Sequence, residues 1–195
     1  YYRISIYNEY YGVSNFYDGR FRVNDQYKRV PCIIYGPFVD LITGNSAVIS
    51  LETDLPSSAV IGINGREFTD SEVSKMHEVS IDGLRDGTAY TYAAIVNGKK
   101  YAEYEFKTES ENKDNFSFSV MSDSRGAVGG GERFFGEACN YHALTRLLLD
   151  AHNRGSDFVI FAGDLVNGYV SEKFDFLYQI KKWKNATEGV GSFIP

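Results

Sequence analysis

Two aspartates each follow a short, strand-like apolar segment and stand close to a glycine. Asp164 comes directly after the run Phe158–Ala162 and Gly163, and Asp123 follows the alternating segment Phe116–Met121. Runs of this kind, rich in β-branched and aromatic residues, are typical of strands in helix-covered parallel sheets. Open α/β sheets bind their ligands at the carboxyl ends of such strands. Two carboxylates there are costly to hold together without a cation, so the pattern favours a site for hard divalent cations.

A helical pattern separates the two segments and would position them. Residues Asn140 to Asn153 predict a helix that ends at Gly155. A β–α–β crossover makes its two strands parallel, so Asp123 and Asp164 are expected at one edge of a sheet. The helix is expected to bury one apolar face, formed by Tyr141, Leu144, Leu147, Leu148 and Ala151.

A second helix is expected after Asp164. Ser171 is a suitable N-cap, and the helical pattern continues to about Asn185. An apolar stripe of Phe174, Leu177, Ile180 and Trp183 is expected to face the core. The cluster Lys181, Lys182 and Lys184 suits the negative C-terminal end of a helix, and we expect it to be solvated.

The Asp123 segment and the Gly163-Asp164 segment together resemble the first half of the catalytic domain of calcineurin-like metallophosphoesterases, which include the purple acid phosphatases. The resemblance implies two divalent metal ions of the Fe, Mn or Zn class, with Asp123 as a terminal ligand and Asp164 as the bridging ligand. Two metals about 3.5–4 Å apart supply a nucleophilic water and offset charge on phosphoryl oxygens. The implied function is a metal-dependent hydrolase of phosphomonoesters or phosphodiesters.

The same resemblance implies that the site is incomplete in this sequence. The family completes its metal centre with an Asn-His motif and later histidines, and the sequence reaches Pro195 about where the strand leading to that motif would begin. Two carboxylates and an amide cannot fill the coordination of two cations. A protein ending at Pro195 is therefore expected to lack a stable two-metal centre and to have negligible turnover.

Arg125 and Asn167 depart from the family pattern. Arg125 stands where a metal-binding histidine is common, but a guanidinium has no lone pair to donate. Its planar fork suits a phosphate, so we expect Arg125 to bind the substrate phosphate, or to pair with Asp123 in a metal-free site. Asn167 stands where purple acid phosphatases place a metal-binding tyrosine. It is expected either to serve as a weak third metal ligand or to hold a turn.

A β-sandwich is predicted upstream, in residues 36–108, because short strand-like runs alternate with turn signals. The segment Leu84–Tyr90 resembles a fibronectin type III module, in which the tyrosine hydroxyl bonds to nearby backbone. Asn97-Gly98 is the strongest hairpin signal. Residues 1–35 are expected to be an N-terminal extension, Thr108–Asn115 a linker, and residues 116–195 the first part of an α/β metallophosphoesterase domain. The strand-like runs are Phe38–Thr43, Ala47–Thr53, Ala59–Ile63, Met76–Ile81, Ala89–Val96 and Tyr101–Lys107.

Composition narrows the class of partner. A formal net charge of −6 over 195 residues argues against nucleic acid, and no apolar run is long enough to span a membrane. The module architecture implies export to a periplasmic or extracellular location. Cys32 and Cys139 are expected to be unpaired. His77, His142 and His152 are expected to be packing or surface residues rather than metal ligands.

Two questions stay open from the sequence. The glycine-rich stretch Gly129–Gly131 is either a flexible loop bordering the site or a backbone cradle for phosphate. The alternative to a phosphoester hydrolase is a non-catalytic extracellular binding module, in which the sandwich carries the function and the phosphoesterase half is degenerate. Arg125 at a metal-ligand position favours that alternative.

Overall fold

The computed structural model describes residues 1–9, 12–112, 115–126, 138–168 and 170–195. The Gly129–Gly131 stretch lies outside these ranges. Two units are distinguished: Tyr1–Gly19 with Ser117–Val190, and Arg20–Phe116 with Gly191–Pro195. The residues expected to form an N-terminal extension, 1–35, are therefore divided between the two units.

The described elements are mostly strands. In chain order they are β1 Tyr2–Asn8, β2 Gly12–Gly19, β3 Arg22–Val23, β4 Arg29–Val30, β5 Ile33–Asp40, β6 Ser46–Ile63, β7 Arg66–Asp82, β8 Ala89–Val96, β9 Lys99–Lys107, β10 Phe118–Met121, β11 Arg125–Gly126, β12 Ala138–Cys139, α1 Tyr141–Asn153, β13 Phe158–Phe161 and α2 Lys173–Gly191. Neither of these helices combines the length and hydropathy that a membrane-spanning helix needs.

The Arg20–Phe116 unit is built on a five-stranded antiparallel sheet. Its order is β5-β6-β8-β9, and β7 also pairs with β6. The first half of β6 pairs with β5, and its second half, from Ala59 to Ile63, pairs with β8. β7 runs along both halves.

β6 corrects one expectation from the sequence. Two strands, Ala47–Thr53 and Ala59–Ile63, were expected to be separated by a turn at Asp54–Pro56, but they form one strand of 18 residues. The turn signal corresponds instead to a register shift between Glu52 and Ser57. An irregularity of this kind accommodates a proline that cannot donate to the ladder, and it bends the strand without ending it.

The core of this unit follows from alternation along its strands. In the first half of β6, every second residue is buried, as the two-residue period of a strand requires. Ile49 and Ile61, from the two halves of β6, belong to one cluster with Ile81 of β7 and Tyr92 of β8. One apolar core therefore joins both halves of the sheet.

Two local sequence signals in this unit are present in the structure. The hydroxyl of Tyr90 accepts a hydrogen bond of 2.7 Å from the backbone N–H of Arg85, as the fibronectin type III resemblance implied. Asn97 and Gly98 both have positive φ, 47° and 69°, and join β8 to β9. Positive φ at both central residues is the geometry of a tight hairpin turn with the right-handed twist of its strands.

The β–α–β arrangement predicted in the other unit is confirmed. β10 and β13 are parallel, with Phe118 opposite Phe158 and Met121 opposite Phe161, and α1 lies between them in the chain. Asn140 caps α1 by accepting from the N–H of Ala143. The helix buries Leu144, Leu148 and Ala151, whereas Leu147, expected on the same face, is 55% exposed.

The face that α2 buries was predicted only in part, since Trp183 packs edge-on against Phe161 of β13 but other members of the expected stripe are exposed. Phe174 and Leu177, from the expected apolar stripe, are 65% and 44% exposed, and the helix begins at Lys173 and continues to Gly191. Its buried side chains recur at helical spacing and are largely polar. They are Asp175, Gln179, Lys182, Ala186, Thr187 and Val190.

Main-chain groups explain why polar residues of α2 are buried. The Gln179 amide accepts from the N–H of Gly168 at 2.9 Å and donates to the carbonyl of the same residue at 3.3 Å. Lys182, expected to be solvated, is 2% exposed; its ammonium donates to the carbonyl of Phe16 in β2 and lies over the Phe16 ring. Since buried polar groups need partners, these side chains hold the hairpin β1–β2 and the loop after β13 against α2.

Candidate functional site

Asp123 and Asp164 leave neighbouring parallel strands at the same edge. The ladder from β10 to β13 continues past the strands, because the N–H of Ala162 donates to Met121 at 2.8 Å and the N–H of Asp123 donates to Gly163 at 3.2 Å. The N–H of Arg125 then donates to the carbonyl of Asp164, also at 3.2 Å. The two aspartates therefore lie on adjoining backbone segments at the carboxyl ends of the strand pair, where open α/β sheets bind ligands.

Both aspartates have an unusual backbone conformation. Their φ angles are 56° for Asp123 and 51° for Asp164, and Gly163 between β13 and Asp164 has a φ of 121°. Positive φ is uncommon for residues other than glycine and costs conformational energy. Residues with such strained backbone conformations are concentrated at functional sites. Two of them at one sheet edge therefore favour this edge as the candidate functional site.

Arg125 lies beside one of the two carboxylates. Its Nε is 3.5 Å from Oδ2 of Asp164, and the two side chains are 37% and 53% exposed. The sequence led us to expect Arg125 to pair with Asp123 in a metal-free site; the ion pair in the structure is with Asp164. An exposed pair at this distance is worth little by itself, so a stronger ligand can replace either partner.

Ser122 and Ser124, which no sequence pattern indicated, support the loops that follow β10 and β13. Ser122 donates to the carboxylate of Asp123, next to it in the chain. The buried Ser124 donates to the carbonyl of Leu165 at 2.6 Å, which ties the loop after β10 to the loop after β13. A hydrogen bond from a hydroxyl to a main-chain carbonyl distant in sequence leaves no recognisable motif in the sequence.

Asn167 holds the backbone of the Arg125 loop. Its Oδ1 accepts from the N–H of Gly126 at 2.6 Å, and its own N–H donates to the carbonyl of Ala138. Arg125 and Gly126 form β11, which pairs with β12. The amide oxygen proposed as a metal ligand is therefore already a hydrogen-bond acceptor, which favours the turn role of the two roles expected for Asn167.

The described residues do not supply a complete two-metal centre. In ranges 1–9, 12–112, 115–126, 138–168 and 170–195, no three His, Cys, Asp or Glu side chains come together to hold a metal ion. His77 lies in the other unit, buried, with Nδ1 2.7 Å from Oδ2 of Asp70. Asp123 and Asp164 are the right donor type for hard cations, but the guanidinium of Arg125 beside Asp164 opposes a cation.

Comparisons with known proteins found similar folds among solved structures but no match in sequence. No protein-family model matches the chain, and no curated protein matches it in sequence. The structure of PhoD matches 80% of this chain with a TM-score of 0.56 and 15% identity. A purple acid phosphatase, PPD1 from yellow lupin (Lupinus luteus) seeds, matches 85% with a TM-score of 0.60 and 14% identity.

The match covers only part of each known structure. The chain spans 36% of PhoD and 34% of the lupin enzyme, about a third of each. A sequence identity of 14–15% supports a similarity of fold but not of activity. The chain thus has a fold similar to part of PhoD and part of a purple acid phosphatase.

Proposed function

We propose that this chain carries the first part of a metal-dependent phosphoester hydrolase, with a substrate that is a phosphomonoester or a phosphodiester. The observation that carries the proposal is the parallel register of β10 and β13, which brings Asp123 and Asp164 to one sheet edge with positive φ at both. The fold similarity to a purple acid phosphatase supports it.

Each named residue has a role within this proposal. Asp164 and Asp123 would hold the cations, as bridging and terminal ligand respectively, and bound metals would supply a nucleophilic water and offset phosphoryl charge. Arg125 binds phosphate oxygens through its fork. Asn167 serves by positioning the Arg125 loop through Gly126. The further donors that two metals need are not among the described residues.

The sheet of the Arg20–Phe116 unit is proposed to be a fibronectin type III-like sandwich; its first strand, β5, begins at Ile33, shortly before the range 36–108 expected from the sequence. The bond from Arg85 to the Tyr90 hydroxyl and the single core shared by both halves of β6 support this assignment. An exported location is proposed on the same architecture.

Cation binding by the chain tests the proposal. Mn²⁺ titration by calorimetry should show saturable binding that Asp164→Asn and Asp123→Asn each abolish. Asp150→Asn is the matched control, because it removes the same charge from an exposed pair with Arg154 on α1. Turnover of p-nitrophenyl phosphate and of bis-p-nitrophenyl phosphate by this chain alone should be negligible. Mn²⁺ binding that survives both aspartate substitutions would refute the assignment.

The ion pair between Arg125 and Asp164 favours a second candidate, a binding module with a degenerate phosphoesterase half. In that case the guanidinium permanently occupies the place of a cation. The two candidates differ in the same titration, because the degenerate site binds no Mn²⁺ in the unsubstituted chain.

A further inference from the structure

The sheet of the Arg20–Phe116 unit has one row of paired residues whose two middle members are very small. Glu67 of β7 is paired with Gly62 of β6, which is itself paired with Ala93 of β8. Ala93 is paired in turn with Glu103 of β9. Because residues paired on neighbouring strands share a face of the sheet, the row has a carboxylate at each end and almost no side-chain volume between them.

The middle of this row forms a pocket on the face turned away from the core. Ile61 and Ile63, on either side of Gly62, belong to the core cluster, so strand alternation places Gly62 on the opposite face. We call this the Gly62 pocket; its volume is about 390 Å³, the size of a site for a small organic molecule. Its lining includes Gly62, Glu67, Thr91, Ala93, Ile95 and Glu103.

No structural need for glycine accounts for Gly62. Its φ is not positive, and its pairing with β7 and β8 is regular. A Cβ atom there would meet nothing closer than Cδ1 of Ile95, at 3.8 Å, which is an ordinary contact. Glycine within a strand weakens it and often marks a place where a ligand approaches the backbone closely. Gly62 therefore favours the pocket as a binding site.

The two ends of the pocket differ in charge. At one end, Nζ of Lys100 lies 2.6 Å from Oε1 of Glu103 and neutralises it. At the other end, the exposed carboxylate of Glu67 has no hydrogen bond or ion pair with any residue in the described parts of the chain. The Glu67 end is therefore negative.

Arg66, next to Glu67 in the chain, does not neutralise this end. Its guanidinium donates to the carbonyls of Asp82 at 2.8 Å and Gly83 at 3.1 Å, and lies 4.7 Å from the centre of the Phe68 ring. Phe68 packs against the core, so alternation places Arg66 on the core side of β7 and Glu67 on the side of the pocket.

We propose that the Gly62 pocket binds a small organic ammonium ion with a planar apolar body. The body lies on Gly62, Ala93 and Ile95, where small side chains leave the sheet flat and apolar. The ammonium donates to the carboxylate of Glu67 in a charge-assisted hydrogen bond. The site needs no metal, and it lies in a different unit from the edge of β10 and β13.

Titration of the whole chain with benzylamine tests this site. Benzyl alcohol is the matched probe, because it carries a hydroxyl in place of the ammonium on the same planar body. Two-dimensional NMR of the backbone amides locates the ligand, and the rise in Tm reports binding independently. We expect saturable benzylamine binding, with the largest shifts at Gly62, Glu67 and Ala93, and binding of benzyl alcohol that is at least about tenfold weaker.

Two substitutions separate the apolar floor from the charge. Gly62→Val fills the pocket with a β-branched side chain that suits a strand, and should abolish binding of both probes. Glu67→Gln keeps the shape of its side chain and removes the charge, so this variant should bind benzylamine as weakly as it binds benzyl alcohol. Glu78→Gln is the control, because it removes the same charge from an exposed position on the same strand.

Several results would overturn the proposal. Absence of saturable benzylamine binding at millimolar concentration would do so, as would equal affinity for the amine and the alcohol, or equal benzylamine affinity in Glu67→Gln and Glu78→Gln. If Gly62→Val lacks a cooperative unfolding transition, Gly62→Ala replaces it, and unchanged binding in the variant that folds places the ligand elsewhere. Mn²⁺ binding at Asp164 enters none of these measurements, so their failure is distinct from failure of the proposed hydrolase.

Discussion

The Nε atom of Arg125 lies 3.5 Å from Oδ2 of Asp164, so the proposed bridging carboxylate faces a permanent positive charge. A guanidinium cannot be deprotonated at working pH and cannot donate a lone pair. Any cation at Asp164 must therefore displace Arg125 or tolerate its charge. The competition between a cation and Arg125 for the Asp164 carboxylate therefore determines whether this sheet edge binds a metal or holds an ion pair.

Replacing Arg125 by histidine should strengthen cation binding. The substitution removes the competing charge and adds a neutral nitrogen donor, so we expect the Kd for Mn²⁺ to fall by about tenfold, or about 1.4 kcal/mol. Calorimetric titration at neutral pH measures it. Arg154→His is the matched control, since its partner Asp150 lies on α1. An equal Kd in both variants would show that Arg125 does not compete at Asp164.

Asn167→Ala should destabilise the metal-free chain. The change leaves the N–H of Gly126 without the acceptor that now lies 2.6 Å away, which costs about 1–3 kcal/mol of unfolding free energy. Asn167→Asp keeps an acceptor oxygen and should lose less. Urea denaturation in EDTA measures both. If the alanine variant is as stable as the unsubstituted chain, and only its Mn²⁺ binding changes, Asn167 is a metal ligand and not a turn residue.

The contribution of Lys182 to stability should rise with pH above about 8, whereas the buried Cys139, whose pKa burial raises to about 12, acts in the opposite direction at higher pH. Burial lowers the pKa of Lys182 to about 8, while Cys139 and Asp18 act in the opposite direction. Between that value and its ordinary pKa of about 10.4, the unfolded chain binds a proton that the folded chain does not, so unfolding becomes less favourable as pH increases.

The comparison that isolates Lys182 uses Lys182→Met, which keeps a long side chain without the titrating amine. Denaturant midpoints of both proteins are measured from pH 7 to pH 10, and their difference is plotted. A difference that grows in favour of the lysine protein above pH 8 is expected. A flat difference would mean that the ammonium over the Phe16 ring is as protonated in the folded chain as in the unfolded one.

Tyr90→Phe should weaken the sheet unit through one hydrogen bond. The N–H of Arg85 donates to the Tyr90 hydroxyl at 2.7 Å, and the phenylalanine variant leaves that donor without its acceptor. We expect a loss of about 1–2 kcal/mol in unfolding free energy, seen as a lower urea midpoint. Tyr27→Phe is the control, because Tyr27 is 89% exposed. Equal midpoints would remove this bond from the stabilising contacts of the unit.

Local patterns in the sequence were sufficient to predict a structural element where contacts between residues close in sequence determine it. The apolar run before Gly163-Asp164 and the alternating segment before Asp123 predicted two strands, and their parallel pairing followed from the helix between them. The hairpin at Asn97-Gly98 followed from backbone sterics alone. In each case the signal depends on neighbours in sequence.

Contacts distant in sequence account for what was missed. α2 buries Gln179 and Lys182 because main-chain groups at Gly168 and Phe16 need partners, and no helical period reports such a need. β6 stays continuous past Pro56 because β7 and β8 pair with it beyond the bulge. The pairing of Arg125 with Asp164 likewise depends on the register of two strands, which the spacing of residues does not specify.

The length of β6 also determines how its unit opens. Amide protons in its first half are held by β5 and β7, and those in its second half by β7 and β8. Fraying at one end of β6 removes support from β5, and fraying at the other end removes it from β8, whereas β7 pairs with both halves. Neither half of the sheet can therefore unfold as an independent cooperative unit. Deuterium uptake should therefore report one shared protection level for the paired residues of β6 on both sides of the irregularity between Glu52 and Ser57, and limited proteolysis should cut outside this strand before it cuts within its paired parts.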